Sequence, residues 1–254
     1  MFSRTLAFAS MLLITVIGSS AVAAAACSNS SISGVYGFST SGTDGDGLSQ
    51  AVVGQFTATP GSPSGSLSGT ETVSTNGTIG AVSFSGTYQV SGNCTGQVTV
   101  KVSGSKNAAH LRLVIVSGGA EIDFVNTDPG QTGLGYALAQ GNVICTDLGV
   151  KANYGFQDTG LVVGSGAIAL TGRLTFDGNG AAKGSESGTQ AGVAVTNVPL
   201  SGSYSINSDC TGSAILTPQG GVATNFNFVV VNGGKTLLAI DTDATTVITG
   251  TLKR

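Results

Sequence analysis

An internal repeat limits what this chain can fold into more than any other feature. Residues 85–100 read SGTYQVSGNCTGQVTV, and residues 201–216 read SGSYSINSDCTGSAIL. CSNSSISGVYGFSTSG, which starts at Cys27, matches CTDLGVKANYGFQDTG, which starts at Cys145, in the same way. Two units of about 115 residues have the size of domains rather than of solenoid repeats. We therefore predict a duplicated domain, residues 27–140 and 145–254.

Residues 1–26 have the layout of a secretory signal peptide. Arg4 precedes an apolar run from Leu6 to Ile17, and small residues continue to Ala26. The apolar run is too short to span a bilayer comfortably, which favours cleavage over retention as an anchor. We expect a secreted, periplasmic or cell-surface protein that does not span the membrane once the leader is removed.

Few side chains are charged. Charged residues make up 9% of the chain and hydrophobic residues 41%, whereas disordered chains combine low hydrophobicity with high charge. Without Arg4, nine Lys and Arg stand against thirteen Asp and Glu, a formal charge of −4. We therefore expect a folded chain and no nucleic-acid partner.

Apolar residues alternate with hydroxyl-bearing and other polar residues along each repeat. Val98, Val100 and Val102, for example, alternate with Thr99 and Lys101. This period of two is typical of antiparallel strands with one buried face. In the first repeat it predicts strands near residues 34–40, 51–58, 66–74, 82–90, 95–103, 110–117, 121–127 and 133–139.

Eight short strands per repeat predict an all-β protein made of two tandem antiparallel eight-stranded up-and-down β-barrels. Closing the sheet removes its exposed edges. Two β-sandwiches are the alternative, because periodicity does not distinguish a closed sheet from two packed ones. A membrane barrel is disfavoured, since Lys101 shares its face with Thr95, Gln97 and Thr99, whereas a lipid-facing surface must be apolar.

The four cysteines predict two disulfides in an exported chain. If each unit folded alone before duplication, Cys27 pairs with Cys94 and Cys145 with Cys210. In a meander, the first and fifth strands start at the same end of the barrel, so each bond would cross one mouth. Lipidation of Cys27 is the alternative, because the cysteine directly follows AAAA; Cys145, its internal counterpart, has no such option.

Residues with catalytic chemistry are scarce. His110 is the single histidine, and alternation places it on the outer face with Arg112; Ser/His/Asp chemistry needs an oriented histidine base, so we interpret it as a surface imidazole. TDGDG, from Thr43, resembles the start of a calcium loop, but Gln55 stands where the bidentate Glu would be needed. We predict no catalytic residue, no metal site and no cofactor.

Glu71 and Glu186 are the carboxylates that deserve a functional hypothesis. Each lies an even number of residues from apolar or small residues of its strand and so on the same face as they do, which could point it into a barrel. Burial there would raise the carboxyl pKa and suit an acid, a base or a ligand anchor. The alternative is a twisted, glycine-rich strand that exposes the Glu, or a structural hydrogen bond to Tyr88 or Tyr204.

The series YGF, SGTY, CTG, VIVSGG and TDPG resembles a recurring domain of secreted bacterial proteins of uncharacterised function, especially those of soil acidobacteria. This resemblance covers nearly all of each repeat and implies no catalytic residue. The expected topology is also similar to the lipocalin and allene oxide cyclase barrels, which implies a small apolar ligand. The lipocalin Gly-x-Trp signature is absent, because the chain has no tryptophan.

The leading functional hypothesis is a non-enzymatic exported protein that binds a small apolar ligand or a cell-envelope partner through one or both barrels. An isomerase or cyclase that uses an inward Glu is the second hypothesis. A structural or adhesive surface protein is the third. The predicted ligand-lining residues are Tyr36, Phe38, Phe56, Glu71, Phe84, Tyr88, Tyr154, Phe156, Glu186, Tyr204, Phe226 and Phe228.

Overall fold

The computed structural model describes residues 26–254, and these form two closed antiparallel β-barrels of eight strands each. Of the predicted signal peptide, residues 1–26, all but Ala26 lies outside the described residues. In the described part of the chain, no helix has the length and apolar character needed to cross a bilayer.

The first barrel is a meander in which each strand pairs with the next. Its closing pair joins the eighth strand to the first, with Tyr36 opposite Ala139 and Thr43 opposite Thr132. This closure confirms the barrel and excludes the sandwich. The strands are β1 (Gly34–Thr43), β2 (Ser49–Thr59), β3 (Gly65–Thr75), β4 (Thr78–Val90), β5 (Thr95–Val102), β6 (Ala109–Val116), β7 (Glu121–Asn126) and β8 (Thr132–Ala139).

The second barrel repeats this topology and closes between its first and last strands, where Asp158 lies opposite Gly250. The bulge of this barrel lies between Glu186 and Gly188, on the pair formed by its third and fourth strands. The strands are β9 (Ala152–Val162), β10 (Gly166–Phe176), β11 (Ala181–Gln190), β12 (Val193–Ile206), β13 (Thr211–Pro218), β14 (Thr224–Val231), β15 (Thr236–Asp241) and β16 (Thr246–Lys253).

Along each strand, side chains point alternately into the apolar barrel interior and out to the polar exterior, as the period of two predicts. On β5, Val98 is 8% exposed, whereas its neighbours Gln97 and Thr99 and the nearby Lys101 face solvent. Each barrel has its own core of aromatic and aliphatic side chains. Burial of these side chains is the main source of stability for each unit.

The two barrels also pack against each other through apolar outer faces. Ala51 and Val53 on β2 meet Val229, Leu238 and Ile240 on β14 and β15. Gly37 allows the two barrels to approach each other closely, because a Cβ at this position would lie only 2.5 Å from a Cγ of Val231. The interface is a third buried apolar cluster, distinct from the two barrel interiors.

Hydrogen bonds between the barrels fix how the two units are oriented. At the end that carries the disulfides, the Gly233 amide donates to the Gln140 carbonyl (2.8 Å). At the opposite end, the Thr245 amide donates to the Gly77 carbonyl (3.0 Å), and the Ser74 hydroxyl donates to the Thr246 carbonyl. The barrels therefore lie side by side with corresponding ends pointing the same way.

Candidate functional site

The disulfide end of the first barrel is closed by a short plug. Cys27 is bonded to Cys94, and the 3₁₀ turn Asn29–Ser31 crosses the mouth between them and β1. The Asn29 side chain fixes the plug: its Oδ1 accepts from the Val90 amide (2.8 Å), and its Nδ2 donates to the Gly61 carbonyl (2.8 Å). The polar groups at this end of the barrel therefore form hydrogen bonds within the chain.

The second barrel is closed in the same way. Cys145 is bonded to Cys210, and the 3₁₀ turn Asp147–Val150 takes the place of the first plug. Asp147 Oδ1 accepts from the Ile206 amide (2.9 Å), which is the bond that Asn29 makes in the first barrel. The pairing predicted from the duplication is therefore present in both units.

Buried tyrosines lie directly above each plug and form the floor of the barrel interior. The Tyr88 hydroxyl donates to the Ile32 carbonyl (2.7 Å), and the Tyr36 hydroxyl donates to the Gly119 carbonyl (2.8 Å). In the second barrel, the Tyr154 hydroxyl donates to the Gly234 carbonyl (2.7 Å), and the Tyr204 hydroxyl accepts from the Gly178 amide (2.9 Å). A buried phenol needs such a partner, so these hydroxyls serve the closure of the barrel.

Above the floor, the first barrel holds a cavity of about 520 Å³ that opens at the end opposite the disulfide. Its wall is mostly apolar and its rim is polar, with Thr43, Asp44, Asp128 and Gln131 at the mouth. Prominent wall residues are Phe38, Phe56, Leu67, Phe84, Val100, Leu111 and Phe124.

The second barrel holds a cavity of about 550 Å³ that opens in the same direction. Gln190, Gln219 and Val222 lie at its mouth, and Val222 is 82% exposed. Prominent wall residues are Phe156, Leu170, Leu174, Leu200, Leu216, Phe226 and Phe228.

The structure places nine of the twelve predicted lining residues in these cavity walls. Tyr36, Tyr154 and Tyr204 are the others: they lie in the floor, where their hydroxyls bond to backbone. Tyr36 stacks on Phe56 with ring centroids 5.3 Å apart, so it supports a wall residue. The residues in the walls are Phe38, Phe56, Glu71, Phe84 and Tyr88 in the first barrel and Phe156, Glu186, Phe226 and Phe228 in the second.

Glu71 and Glu186 both line the cavities. Burial raises the pKa of Glu71 to about 7, and burial also raises the pKa of Glu186. Neither carboxyl has a hydrogen bond that offsets this effect among the described residues. The structural alternative, a hydrogen bond from Glu to Tyr88 or Tyr204, is wrong, because those hydroxyls bond to the backbone of the plug and floor.

The second cavity contains two further carboxyl groups that the sequence analysis missed. Burial, together with the charges of Glu186 and Asp241, raises the pKa of Asp158 to about 7. Burial raises the pKa of Asp241 to about 6, against hydrogen bonds from the Asp243 amide (2.8 Å) and the Thr246 hydroxyl (2.9 Å). The alternation of side chains could have identified Asp158 as inward-facing, because it follows Tyr154 and Phe156 at the same spacing of two residues.

The corresponding positions of the first barrel are neutral. Thr40 corresponds to Asp158, and its hydroxyl donates to the Leu134 carbonyl (3.1 Å). Asn126 corresponds to Asp241, and its Oδ1 accepts from the Asp128 amide (2.7 Å), as Asp241 Oδ1 accepts from Asp243. The first cavity wall therefore has one acidic group, Glu71, where the second has three.

On the barrel surface and at the cavity mouths, the side chains first considered for chemistry have structural partners. His110 lies on the surface, and its Nδ1 is 2.7 Å from Asp128 Oδ1. Asn225 and Asp243 repeat this cross-strand pair (Nδ2 to Oδ1, 2.6 Å). Asp44 Oδ1 accepts from the amides of Asp46 and Leu48 and so closes its turn. Among residues 26–254, no three His, Cys, Asp or Glu side chains are grouped to hold a metal ion.

Comparison with known proteins does not assign this chain to a family. No family model matches the chain, and no curated protein matches it. A solved structure, Aeromonas veronii immune modulator A, aligns with 88% of this chain and 94% of its own chain at 12% sequence identity and a TM-score of 0.26. A likeness at this level carries no functional argument.

Proposed function

We propose that this chain is an exported binding protein that holds a small, largely apolar ligand in the cavity of each barrel. The observation that carries the proposal is that each barrel is closed at one end and has an apolar cavity open at the other. An eight-stranded barrel can be filled entirely by its own side chains, or it can hold one small ligand. Here the side chains leave about 520 and 550 Å³.

The size and lining of these cavities support ligand binding. Small-molecule sites of proteins have volumes of about 300–1,000 Å³, with apolar and aromatic walls and a few polar groups that orient the ligand. In the first cavity, Phe38, Phe56 and Phe84 supply aromatic surface, and Glu71 is the one acidic group of the wall below the mouth. A ligand with an apolar body and one polar group fits this arrangement.

The two disulfides support the exported location. Stable disulfides form in oxidising compartments, that is, outside the cytoplasm or in the periplasm of bacteria. Cys27 is engaged with Cys94, which leaves no thiol for lipid attachment in the disulfide-bonded protein. Together with the leader-like residues 1–26, this favours a secreted or periplasmic binding protein.

The proposal is tested with N-phenyl-1-naphthylamine, a neutral probe that fluoresces in apolar sites, on purified residues 27–254. We expect saturable fluorescence that is reduced when a larger side chain fills a cavity. Val100→Phe partly fills the first cavity and narrows it toward its open end, and Leu216→Trp, at the corresponding position, does the same in the second. Each variant should remove about half of the bound probe, and the double variant nearly all of it.

Matched controls place the same bulk on the outside of the same strands. Thr99→Phe and Ile215→Trp alter exposed neighbours of Val100 and Leu216. These controls should bind the probe as the unaltered chain does. Equal binding by the filled variants and their controls, or no saturable binding at all, would contradict the proposal.

Proton transfer by Glu71 is the second candidate function. A carboxyl with a pKa of about 7 in an apolar cavity is suited to general acid or base chemistry near neutral pH. The test is exchange of solvent deuterium into a cavity-sized ketone, compared between the unaltered chain and Glu71→Gln. Exchange that is catalysed and lost in Glu71→Gln would establish this function, and equal exchange in both would exclude it.

A further inference from the structure

The carboxyl groups of the second cavity have no basic partner there. Asp158, Glu186 and Asp241 line its wall and Asp243 also lines it, and among the described residues of its wall and mouth none is Lys, Arg or His. An ionised carboxylate in an apolar environment is costly unless an opposite charge or hydrogen-bond donors accompany it. Once these groups ionise, the cavity carries negative charge that the protein itself does not compensate.

Asp158 is the clearest case. It lies deep in the barrel on β9, and no hydrogen bond from the described residues reaches its carboxylate to offset burial. Its position depends on Gly250 on the paired strand β16, because a Cβ at residue 250 would lie 2.0 Å from Asp158 Oδ1. The fold thus leaves room for a carboxylate that the protein does not use for its own hydrogen bonds.

The first barrel provides an internal comparison. The same backbone positions carry Thr40 and Asn126, and both side chains make hydrogen bonds to the chain. The acidic residues at 158 and 241 are therefore not required by the barrel fold. Their presence changes the chemistry of the cavity and leaves the architecture the same.

We propose that the second barrel selects ligands that combine an apolar body with a cationic group, such as an alkyl ammonium, whereas the first barrel holds ligands whose polar group is neutral or weakly basic. This inference rests on the proposed function and specifies its ligand class. The apolar body packs against Phe156, Phe226 and Phe228, and the ammonium pairs with Asp158 in the cavity that Glu186 and Asp241 also line. An ammonium is a hydrogen-bond donor only, and the Asp158 carboxylate offers it acceptors that the protein leaves unused.

The test uses three probes of equal chain length: decylamine, decanol and decanoate, each below its micelle concentration at pH 8. Each displaces N-phenyl-1-naphthylamine from single-cavity proteins, with Val100→Phe leaving the second cavity and Leu216→Trp leaving the first. In the second cavity, we expect decylamine to bind at least about tenfold more tightly than decanol, because one hydrogen bond to a charged group strengthens binding by about that factor or more. Decanoate should bind most weakly.

Exchanging residues between the barrels sharpens the test. Asp158→Thr with Asp241→Asn gives the second cavity the residues of the first, and should lower the decylamine-to-decanol preference about tenfold. Thr40→Asp with Asn126→Asp makes the reverse exchange, and should raise this preference in the first cavity. Asp158→Asn alone, the most conservative change, gives the same direction of effect if the double variant does not fold.

The outcomes separate this inference from the proposed function. If the neutral probe and decanol bind but decylamine has no advantage, or if the exchanges leave its advantage unchanged, the cation preference is wrong and the apolar binding function stands. If neither cavity binds the neutral probe or any decyl compound, the proposed function fails, and the inference fails with it.

Discussion

Asp158 and Gly250 face each other across the strand pair that closes the second barrel, and the missing side chain of the glycine makes room for the carboxylate. A Cβ at residue 250 would lie 2.0 Å from Asp158 Oδ1 and 3.1 Å from its Cγ. Gly250→Ala should therefore rotate Asp158 away from its present position without changing any charge. We expect it to lower the affinity for decylamine severalfold and leave decanol binding nearly unchanged.

The matched control for this change is Gly155→Ala on the adjacent strand. A Cβ at residue 155 has its nearest neighbour at 3.9 Å, the Lys253 carbonyl oxygen, so it fits without displacement. Displacement titrations of both variants measure the effect. An equal loss in both variants, or none in Gly250→Ala, would show that the Asp158 position does not set ligand preference.

The buried acids predict that the protein loses stability as the pH rises. The pKa is about 7 for Asp158 and about 6 for Asp241, whereas aspartates in the unfolded chain titrate near 3.9. Between these values the folded state binds more protons than the unfolded state, so the free energy of unfolding falls from about pH 4 to above pH 7. The groups that face Asp158 across the cavity, Glu186, Asp241 and Asp243, are also acidic and do not reverse this sign.

Asp158→Asn should remove part of this pH dependence. We expect it to raise the free energy of unfolding by about 1 kcal/mol or more at pH 8.5, and to change it little at pH 4.5, since one pKa unit corresponds to about 1.4 kcal/mol. Urea unfolding at the two pH values measures both effects. Gln157→Asn, an exposed neighbour without a titratable group, should change neither value, and an unchanged pH dependence in Asp158→Asn would contradict the account.

The barrel interface can be tested with a pair of equivalent glycines from the two repeats. Gly37 lies against Val229 and Val231 of the other barrel, whereas Gly155, its counterpart in the second repeat, faces solvent. Gly37→Leu should lower the free energy of unfolding by about 1–3 kcal/mol through overpacking, and should increase the radius of gyration in small-angle scattering. Gly155→Leu should do neither, and similar behaviour of the two variants would argue against the interface.

Each disulfide should stabilise its own barrel. The Cys27–Cys94 bond closes a loop of 67 residues and the Cys145–Cys210 bond one of 65 residues. In the chain-entropy model such loops are worth about 4 kcal/mol each. Paired Cys→Ser variants should therefore each lower the midpoint of urea unfolding, and the loss of probe binding in the variants should be confined to the barrel that lost its bond. Loss from the other barrel would indicate that the units do not fold independently.

The alternation of apolar and polar residues was sufficient to predict the strands, whereas the closed barrel was preferred to the sandwich because closure removes exposed sheet edges. The predicted strand near 95–103, for example, is β5 at Thr95–Val102, and the one near 133–139 is β8 at Thr132–Ala139. The duplication was sufficient to predict the disulfides, because equivalent cysteines are expected to form equivalent bonds in both repeats. These features depend on local pattern and on topology, which a sequence records directly.

The barrel interface was not predicted, although the sequence carries a signal for it. FVVV at 228–231 and LLAI at 237–240 are continuous apolar runs, and such runs are typical of strands that are buried on both faces. Alternation alone treats them as ordinary half-buried strands. Which apolar outer faces meet depends on how two finished barrels pack, and this is not a property of any one strand.

The carboxyl groups of the second cavity were predicted in part. Glu186 was identified by its parity and by its match to Glu71, but Asp158 and Asp241 have neutral counterparts, so a search for repeated residues passed over them. The functional interest of this chain lies where its two halves differ, whereas the repeat draws attention to where they agree. The floor tyrosines, which the repeat emphasises, serve closure.

Native mass spectrometry of residues 27–254 with decanol counts the ligands bound per chain. We expect two bound molecules per unaltered chain, one in Val100→Phe, one in Leu216→Trp and none in the double variant. No bound molecule in the unaltered chain, or a number that is the same in all four proteins, would contradict the claim that the barrel cavities are binding sites.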